Sequence, residues 1–216
     1  MLNVTFSAQH IRQAQRHLRS HDPVMKALLK QVGPFTLKLE RNRLQALIRS
    51  IVSQQISTSA ARTILGRLQE ATGGHPFSTA SIVALSVDSL RALGISRQKA
   101  GYLLDLCKHV ESGELNLTQL HRLDDEAVIE TLTQVKGIGR WTAQMFLIAS
   151  LGRLDVVAHD DHGLKTAQMK LYGLETLPDK ETFFKIAEPW RPFASVASWY
   201  CWRSLELNLA HDHGEA

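Results

Sequence analysis

The stretch VKGIGRWTAQMFLIASLGRLDVVAHDDHGL, residues 135–164, indicates the fold more clearly than any other part of the chain. It places Gly137 and Gly139 in a tight turn that leads into an apolar run of helical character, and two adjacent aspartates follow. Glycine adopts positive φ and, lacking Cβ, lets another group approach the backbone closely. Because unpaired N–H groups point out of the start of a helix, such a turn can bind an anion of phosphate size. The stretch therefore predicts a phosphate anchor followed, one helix later, by a carboxylate.

The composition is that of an ordinary globular protein with a modest excess of basic residues. The chain has 216 residues and a formal net charge of +4, which is compatible with a polyanionic partner without requiring one. Cys107 and Cys201 lie in apolar helical patterns and are predicted to be buried thiols, and two cysteines are too few to hold an iron–sulfur cluster. The sequence shows no secretory signal pattern and no apolar run of about 18 residues. We therefore expect a cytoplasmic protein.

Helical periodicity extends along nearly the whole chain. Apolar residues recur at helical spacing on either side of a polar junction in residues 41–70, and the sequence TGGHP (72–76) marks a clear break. The segment FTLKLE (35–40) alternates like a strand but has no partner strand, which favours an extended lead-in. The pattern predicts an all-α fold of about ten helices joined by short turns.

Four stretches together carry a resemblance to a known family: LIRSIVSQQIS (47–57), LRALGISRQKAGYLLDL (90–106), GIGRWTAQMFLIASLGRLDV (137–156) and PFASVASWYCW (192–202). They resemble the helix–hairpin–helix (HhH-GPD) DNA glycosylases, and within them the 3-methyladenine DNA glycosylase II family. The resemblance covers roughly residues 40 to 205.

The resemblance implies two helical lobes with a helix–hairpin–helix motif and a catalytic cleft between the lobes. It also implies that residues 1–216 form a single glycosylase unit. Residues 1–40 would then be a short N-terminal extension, 41–205 the glycosylase core and 206–216 a tail.

The family's catalytic aspartate matches Asp161, twenty residues after the position held by Trp141. Cleavage of an N-glycosidic bond builds positive charge on the sugar, and a fixed carboxylate in a water-poor pocket stabilises that charge. Asp160 is the neighbouring alternative, with helix capping or polar support as its expected role. The adjacent His162 is expected either to tune the aspartate or to be a surface residue.

The same resemblance implies a substrate pocket formed by Trp141, Trp202 and Met145. Relatives that cut the strand through a Schiff base have a lysine at the position of Trp141, and an indole cannot form an imine, so we expect a monofunctional enzyme. An indole also attracts a cationic base by cation–π interaction. Trp190 and Trp199 are expected to be core residues.

Three groups of residues are implied to contact DNA or a cation. The turn after residue 53 matches the family's intercalating loop, with Gln55 as the wedge beside Gln54 and Ile56. The hairpin residues Lys136, Gly137, Ile138, Gly139 and Arg140 are expected to bind backbone phosphate. The main-chain carbonyls of Thr133, Val135 and Gly137 are expected to hold a monovalent cation, Na⁺ or K⁺, with no other cofactor.

The sequence thus predicts a monofunctional glycosylase of base excision repair. It would act as a monomer on double-stranded DNA, flip out alkylated purines of the 3-methyladenine type and leave an abasic site. Two alternatives remain open at this point. One is a glycosylase of the same fold for deaminated or oxidised bases, and the other is a non-catalytic helix–hairpin–helix module that binds DNA.

Overall fold

The computed structural model describes residues 6–74 and 76–208. Within these residues the chain forms α-helices with short connections and no strand, which confirms the all-α prediction. The helices are α1 (Ala8–His21), α2 (Pro23–Val32), α3 (Arg43–Ser53), α4 (Thr58–Ala71), α5 (Thr79–Val83), α6 (Val87–Ala92), α7 (Arg97–Glu111), α8 (Asp125–Thr133), α9 (Arg140–Phe146), α10 (His162–Leu171), α11 (Lys180–Ala187) and α12 (Ala194–Glu206). No helix in this described part is long and apolar enough to cross a membrane.

The chain divides into two compact units. Unit 1 combines residues 1–38 with 152–216, and unit 2 is the continuous segment 39–151. The predicted N-terminal extension, 1–40, thus supplies α1 and α2 to the unit that also contains the chain's C-terminal helices. Of the predicted tail, 206–216, the part from 209 onward lies outside the described residues.

Unit 1 is built around α12. Every residue from Ala194 to Cys201 is buried, and the helix packs against α10 and α2. Trp190 and Trp199 are 1% and 7% exposed, which confirms that both are core residues. The buried carboxylate of Asp22 caps α2 and accepts hydrogen bonds from Tyr172 (2.5 Å) and the indole N–H of Trp190 (3.1 Å). Both carboxylate oxygens of Asp22 therefore accept hydrogen bonds, as burial of an acid requires.

Unit 2 is organised by α3, whose apolar face is buried against α4, α7 and α9. The segment before α3 has no regular secondary structure and is fixed at two points. The Glu40 N–H donates to the Ala149 carbonyl (2.9 Å), and the Ser150 hydroxyl donates to the Glu40 carbonyl (2.7 Å). Both partners lie in a π-helical turn, Leu147–Leu151, which continues α9. The helix after the hairpin is therefore held at its far end.

Candidate active site

The hairpin between α8 and α9 requires glycine at Gly137 for two separate reasons. Its φ is +84°, in the region that side chains rarely adopt. A Cβ built there would also lie 2.1 Å from Cδ2 of Tyr102, so the tyrosine ring occupies the place of the missing side chain. Gly139 differs, because its φ is −88° and a Cβ there would meet no atom within 4 Å. The space beside Gly139 is thus open to a ligand.

The other predicted hairpin residues divide between core and surface. Ile138 is buried at 3% exposure, which makes it a core residue of the turn. Lys136 and Arg140 are exposed. The Lys136 ammonium lies 3.9 Å from the Asp105 carboxylate, and the Arg140 guanidinium donates to both carboxylate oxygens of Glu126 (2.9 and 2.5 Å). Gly139 is the N-cap of α9 and provides no side-chain cap hydrogen bond.

The main-chain oxygens expected to hold a cation already accept hydrogen bonds at two of three positions. The Val135 carbonyl accepts from the Ile138 N–H (3.1 Å), and the Gly137 carbonyl accepts from Nε2 of Gln54 (2.8 Å). A carbonyl oxygen has two lone pairs, so each keeps one acceptor site, and the donor set fits a hard monovalent cation. The cation itself stays a prediction.

The residues predicted to form the intercalating loop have different environments. Gln54 ends α3 and directs its amide to the hairpin carbonyl of Gly137, 83 residues away in sequence. Gln55 is exposed and has φ +56°, an unusual conformation for a residue other than glycine. Ile56 is 37% exposed, and Ser57 then caps α4. The loop therefore presents Gln55 and Ile56 outward, while Gln54 is held against the protein.

A pocket of about 380 Å³ lies beside this loop. Its walls consist of Ser50, Ser53, Gln54, Gln55, Trp141 and Thr142. Trp141 is 42% exposed, unlike the two core tryptophans, and it lines the pocket. Met145, one turn further along α9, is half-buried and does not line this pocket. The structure thus places Trp141 and the predicted wedge at one pocket, which Met145 does not line.

In unit 1, Asp161 is held in a defined orientation. It is 8% exposed and is the N-cap of α10, with Oδ1 accepting the Leu164 N–H at 2.6 Å. The same oxygen accepts the indole N–H of Trp202 at 2.9 Å. Two predicted site residues, 41 positions apart, are therefore in direct contact. Charge-assisted hydrogen bonds of this kind fix a carboxylate more firmly than neutral ones do.

The alternative acid, Asp160, has a different environment: of its two predicted roles, helix capping is wrong and polar support stays a prediction. The cap of α10 is Asp161, because its side chain accepts the Leu164 N–H in the first turn of the helix. The Asp160 side chain is 64% exposed, and its carboxylate lies 3.2 Å from Nε2 of His159, whose side chain is 21% exposed. His162 is exposed and is the first residue of α10, so it is a surface residue.

Sequence reasoning overlooked several residues that support these sites. At Gly163, a Cβ would lie 3.1 Å from Oδ1 of Asp161 and 3.3 Å from Cδ1 of Trp202, so glycine makes room for their contact. The glycine two positions after an acidic N-cap was the available signal. Lys99, Tyr102 and Asp105 also contact the loop or the hairpin, and their spacing of three along a helix was a signal too.

Comparison with known proteins supports the same family. The family model of the HhH-GPD superfamily base excision DNA repair protein matches residues 48–192. The alkylbase DNA glycosidase-like protein mag2 of Schizosaccharomyces pombe is 30% identical over 91% of this chain and 95% of its own length. DNA-3-methyladenine glycosylase 1 of the same organism is 34% identical over 90% of this chain and 87% of its own.

A solved structure, S. pombe 3-methyladenine DNA glycosylase (Mag1) in complex with abasic DNA, superposes with a TM-score of 0.82. It shares 34% identity with this chain and covers 90% of it and 97% of its own length. The hairpin with its obligatory glycine, the oriented aspartate and these likenesses agree, and the chain belongs to the HhH-GPD superfamily of base excision DNA repair proteins, in the branch whose named relatives include 3-methyladenine DNA glycosylases.

Proposed function

We propose that this protein is a monofunctional DNA glycosylase that releases alkylated purines of the 3-methyladenine type from duplex DNA and leaves an abasic site. The observation that carries the proposal is the orientation of Asp161, a nearly buried carboxylate held by the Leu164 N–H and the Trp202 indole. Relatives named as 3-methyladenine DNA glycosylases support the substrate class.

In the proposed reaction, Asp161 stabilises the positive charge that develops on the deoxyribose as the bond to the base breaks. A carboxylate already fixed by two donors undergoes little reorganisation at that moment, which makes its electrostatic contribution larger than that of a mobile acid. The same group orients the water that attacks the sugar. An alkylated purine is cationic and leaves easily, so the reaction needs little acid catalysis.

Trp141 is proposed to select the base and to define the type of enzyme. Its indole is 42% exposed at a pocket whose other walls are hydroxyl and amide side chains. A π face attracts a cationic purine, whereas an indole nitrogen cannot attack the sugar to form an imine. We therefore propose hydrolysis without strand cleavage. Contact of Met145 with the base stays a prediction.

DNA binding is proposed to use the hairpin and the loop after α3. The open space beside Gly139, at the start of α9, suits a backbone phosphate, and Lys136 adds positive charge. Gln55, exposed at the tip of the loop, is proposed to fill the gap left by a flipped base and to hydrogen-bond its partner. A hairpin cation, a monomeric state and a cytoplasmic location stay predictions.

The decisive experiment compares wild type, Asp161→Asn and Asp160→Asn on duplexes with one 3-methyladenine, 7-methylguanine, ethenoadenine or hypoxanthine. Asparagine is also a good N-cap, so Asp161→Asn preserves the start of α10 while removing the charge. Asp160→Asn is the matched control, since Asp160 is exposed and adjacent. We expect base release by wild type and by the control, and a loss of at least about 100-fold in Asp161→Asn.

Other outcomes would redirect the assignment. Retained release by Asp161→Asn would exclude the catalytic role of this carboxylate. Release of hypoxanthine in preference to alkylated purines would indicate the glycosylase for deaminated bases, and binding without any release would indicate a non-catalytic module. A strand nick formed without added base or lyase would contradict the monofunctional mechanism.

A further inference from the structure

One face of α7 contacts both DNA-binding elements of unit 2. Lys99, Tyr102 and Asp105 follow one another at intervals of three, so they lie on neighbouring positions of one helical face. Lys99 contacts the loop after α3, and the other two residues contact the hairpin. None of the three is itself expected to touch DNA.

The contact from Lys99 fixes the end of α3. Its ammonium donates to the carbonyls of Val52 (2.8 Å) and Gln54 (2.5 Å). The last carbonyls of a helix lack partners within the helix and carry partial negative charge, so a cation is favourable there. Burial lowers the pKa of Lys99 below its ordinary value. The carbonyl held most closely belongs to Gln54, the residue directly before Gln55.

The contacts from Tyr102 and Asp105 fix the hairpin. The ring of Tyr102 lies where a side chain of Gly137 would be, and its hydroxyl is hydrogen-bonded to Gln98 on the same helix. The Asp105 carboxylate accepts the main-chain N–H of Lys136 at 2.9 Å. The hairpin therefore rests on α7 through packing at Gly137 and a charge-assisted hydrogen bond at Lys136.

A direct hydrogen bond completes the arrangement. Nε2 of Gln54 donates to the Gly137 carbonyl, so the loop and the hairpin are joined to each other as well as to α7. Gln55 has its left-handed conformation, φ +56°, immediately after the residue that both Lys99 and the hairpin hold. A strained conformation of this kind persists only where surrounding contacts determine it.

We infer that Lys99 is a positioning residue that holds Gln55 at a fixed offset from the phosphate-binding hairpin, so that the wedge enters the duplex at the nucleotide whose backbone the hairpin grips. The inference rests on the proposed function, since it assigns a role within base flipping. It implies that Lys99 contributes to extruding a paired base and keeping it out. It contributes neither to backbone affinity nor to bond cleavage in a base that is already unpaired.

The test compares Lys99→Met, Lys99→Arg and, as a matched control, Lys108→Met. Lys108 lies on the same helix and is exposed. Single-turnover release is measured for 7-methylguanine in a fully paired duplex and for 7-methylguanine in a single-nucleotide bulge. We expect the release rate of Lys99→Met to fall on the order of tenfold on the paired duplex, because a small displacement of a positioning group slows the reaction. On the bulge, its release rate should stay within about twofold of that of wild type. Lys99→Arg, whose guanidinium can reach the same carbonyls, recovers most of the loss.

A second measurement does not depend on chemistry. 2-Aminopurine, a base whose fluorescence reports stacking, is placed opposite an abasic-site analogue, and its emission is followed on binding. We expect wild type, Lys99→Arg and Lys108→Met to change the emission, and Lys99→Met to bind with similar affinity but to change it much less.

The two measurements separate the inference from the function on which it rests. Absence of release by wild type would overturn the proposed function, while the fluorescence comparison would still test the positioning role. Equal losses on paired and bulged substrates, or an emission change in Lys99→Met as large as that of wild type, would overturn the role of Lys99. Urea unfolding of each variant shows whether the compared proteins are equally folded.

Discussion

Substitution of Trp202 by phenylalanine tests the contact on which the proposed chemistry depends. The change removes the indole N–H that lies 2.9 Å from Oδ1 of Asp161 while it keeps an aromatic ring in the half-buried position. The Leu164 N–H, at 2.6 Å from the same oxygen, keeps its hydrogen bond. The carboxylate would therefore stay capped to α10 but lose its second point of fixation.

The size of the effect follows from the charge of the acceptor. A hydrogen bond to a charged group contributes about 1.5–3 kcal/mol. If that whole contribution is expressed in the transition state, a conversion of about 1.4 kcal/mol per factor of ten gives a release rate about 10- to 150-fold lower. We expect this loss in single-turnover release of 7-methylguanine, with DNA affinity changed much less.

Trp199→Phe provides the matched control on the same helix. Trp199 is 7% exposed and packs on Phe35 and Tyr200, with ring centroids 4.6 and 4.9 Å away. Its replacement should reduce the free energy of unfolding by about 1–3 kcal/mol and leave release by the folded protein unchanged. Release by Trp202→Phe within twofold of wild type, measured beside this control, would refute the argument that the indole orients the Asp161 carboxylate for the proposed reaction.

Three further predictions concern strain and burial. Gly163→Ala should leave the free energy of unfolding within about 1 kcal/mol of wild type. It should slow base release about tenfold, because the new Cβ would lie 3.1 Å from Oδ1 of Asp161. An unchanged release rate would contradict this expectation. Gln55→Gly should be more stable than Gln55→Ala by about 1 kcal/mol in urea unfolding, since glycine tolerates the φ of +56°, and equal stabilities would show that the loop relaxes. Burial, assisted by the charge of Glu111, raises the pKa of Cys107 to about 12, and burial also raises the pKa of Cys201. Both thiols should therefore be neutral at pH 8 and resist labelling by maleimide until urea unfolds the protein. Rapid labelling of the folded protein would contradict their burial.

Local signals in the sequence predicted the helices and the hairpin well. Helix starts follow from side chains that reach a nearby N–H, as at Ser7, Asp22 and Ser57, and these caps depend on only three or four residues. The glycine of the hairpin is equally local, because positive φ is a property of one residue. Two adjacent aspartates, however, satisfy the same rule, and the backbone geometry rather than the sequence decided in favour of Asp161 as the cap.

The contacts that define the candidate site could not be predicted in this way. Gln54 meets Gly137 across 83 positions, and Trp202 meets Asp161 across 41. Periodicity shows which face of a helix is apolar, but not which polar groups on two faces will meet after packing. The role of Lys99 was hidden for the same reason, because a lysine on an amphipathic helix is normally a solvated residue. The resemblance to a family supplied residue roles, but not the side chains that hold those residues in place.

The use of one oxygen atom for two purposes at Asp161 has a consequence for how relatives of this protein are interpreted. Oδ1 starts α10 by accepting the Leu164 N–H, and it also receives the bond from Trp202 that orients the acid. In a lineage that had ceased to excise bases, selection for a stable α10 would still favour aspartate or asparagine at this position. An acid at this position therefore reflects a requirement of folding as well as of chemistry. A retained aspartate alone is weak evidence that a relative excises bases. Loss of the neighbouring indole or glycine is stronger evidence that it does not.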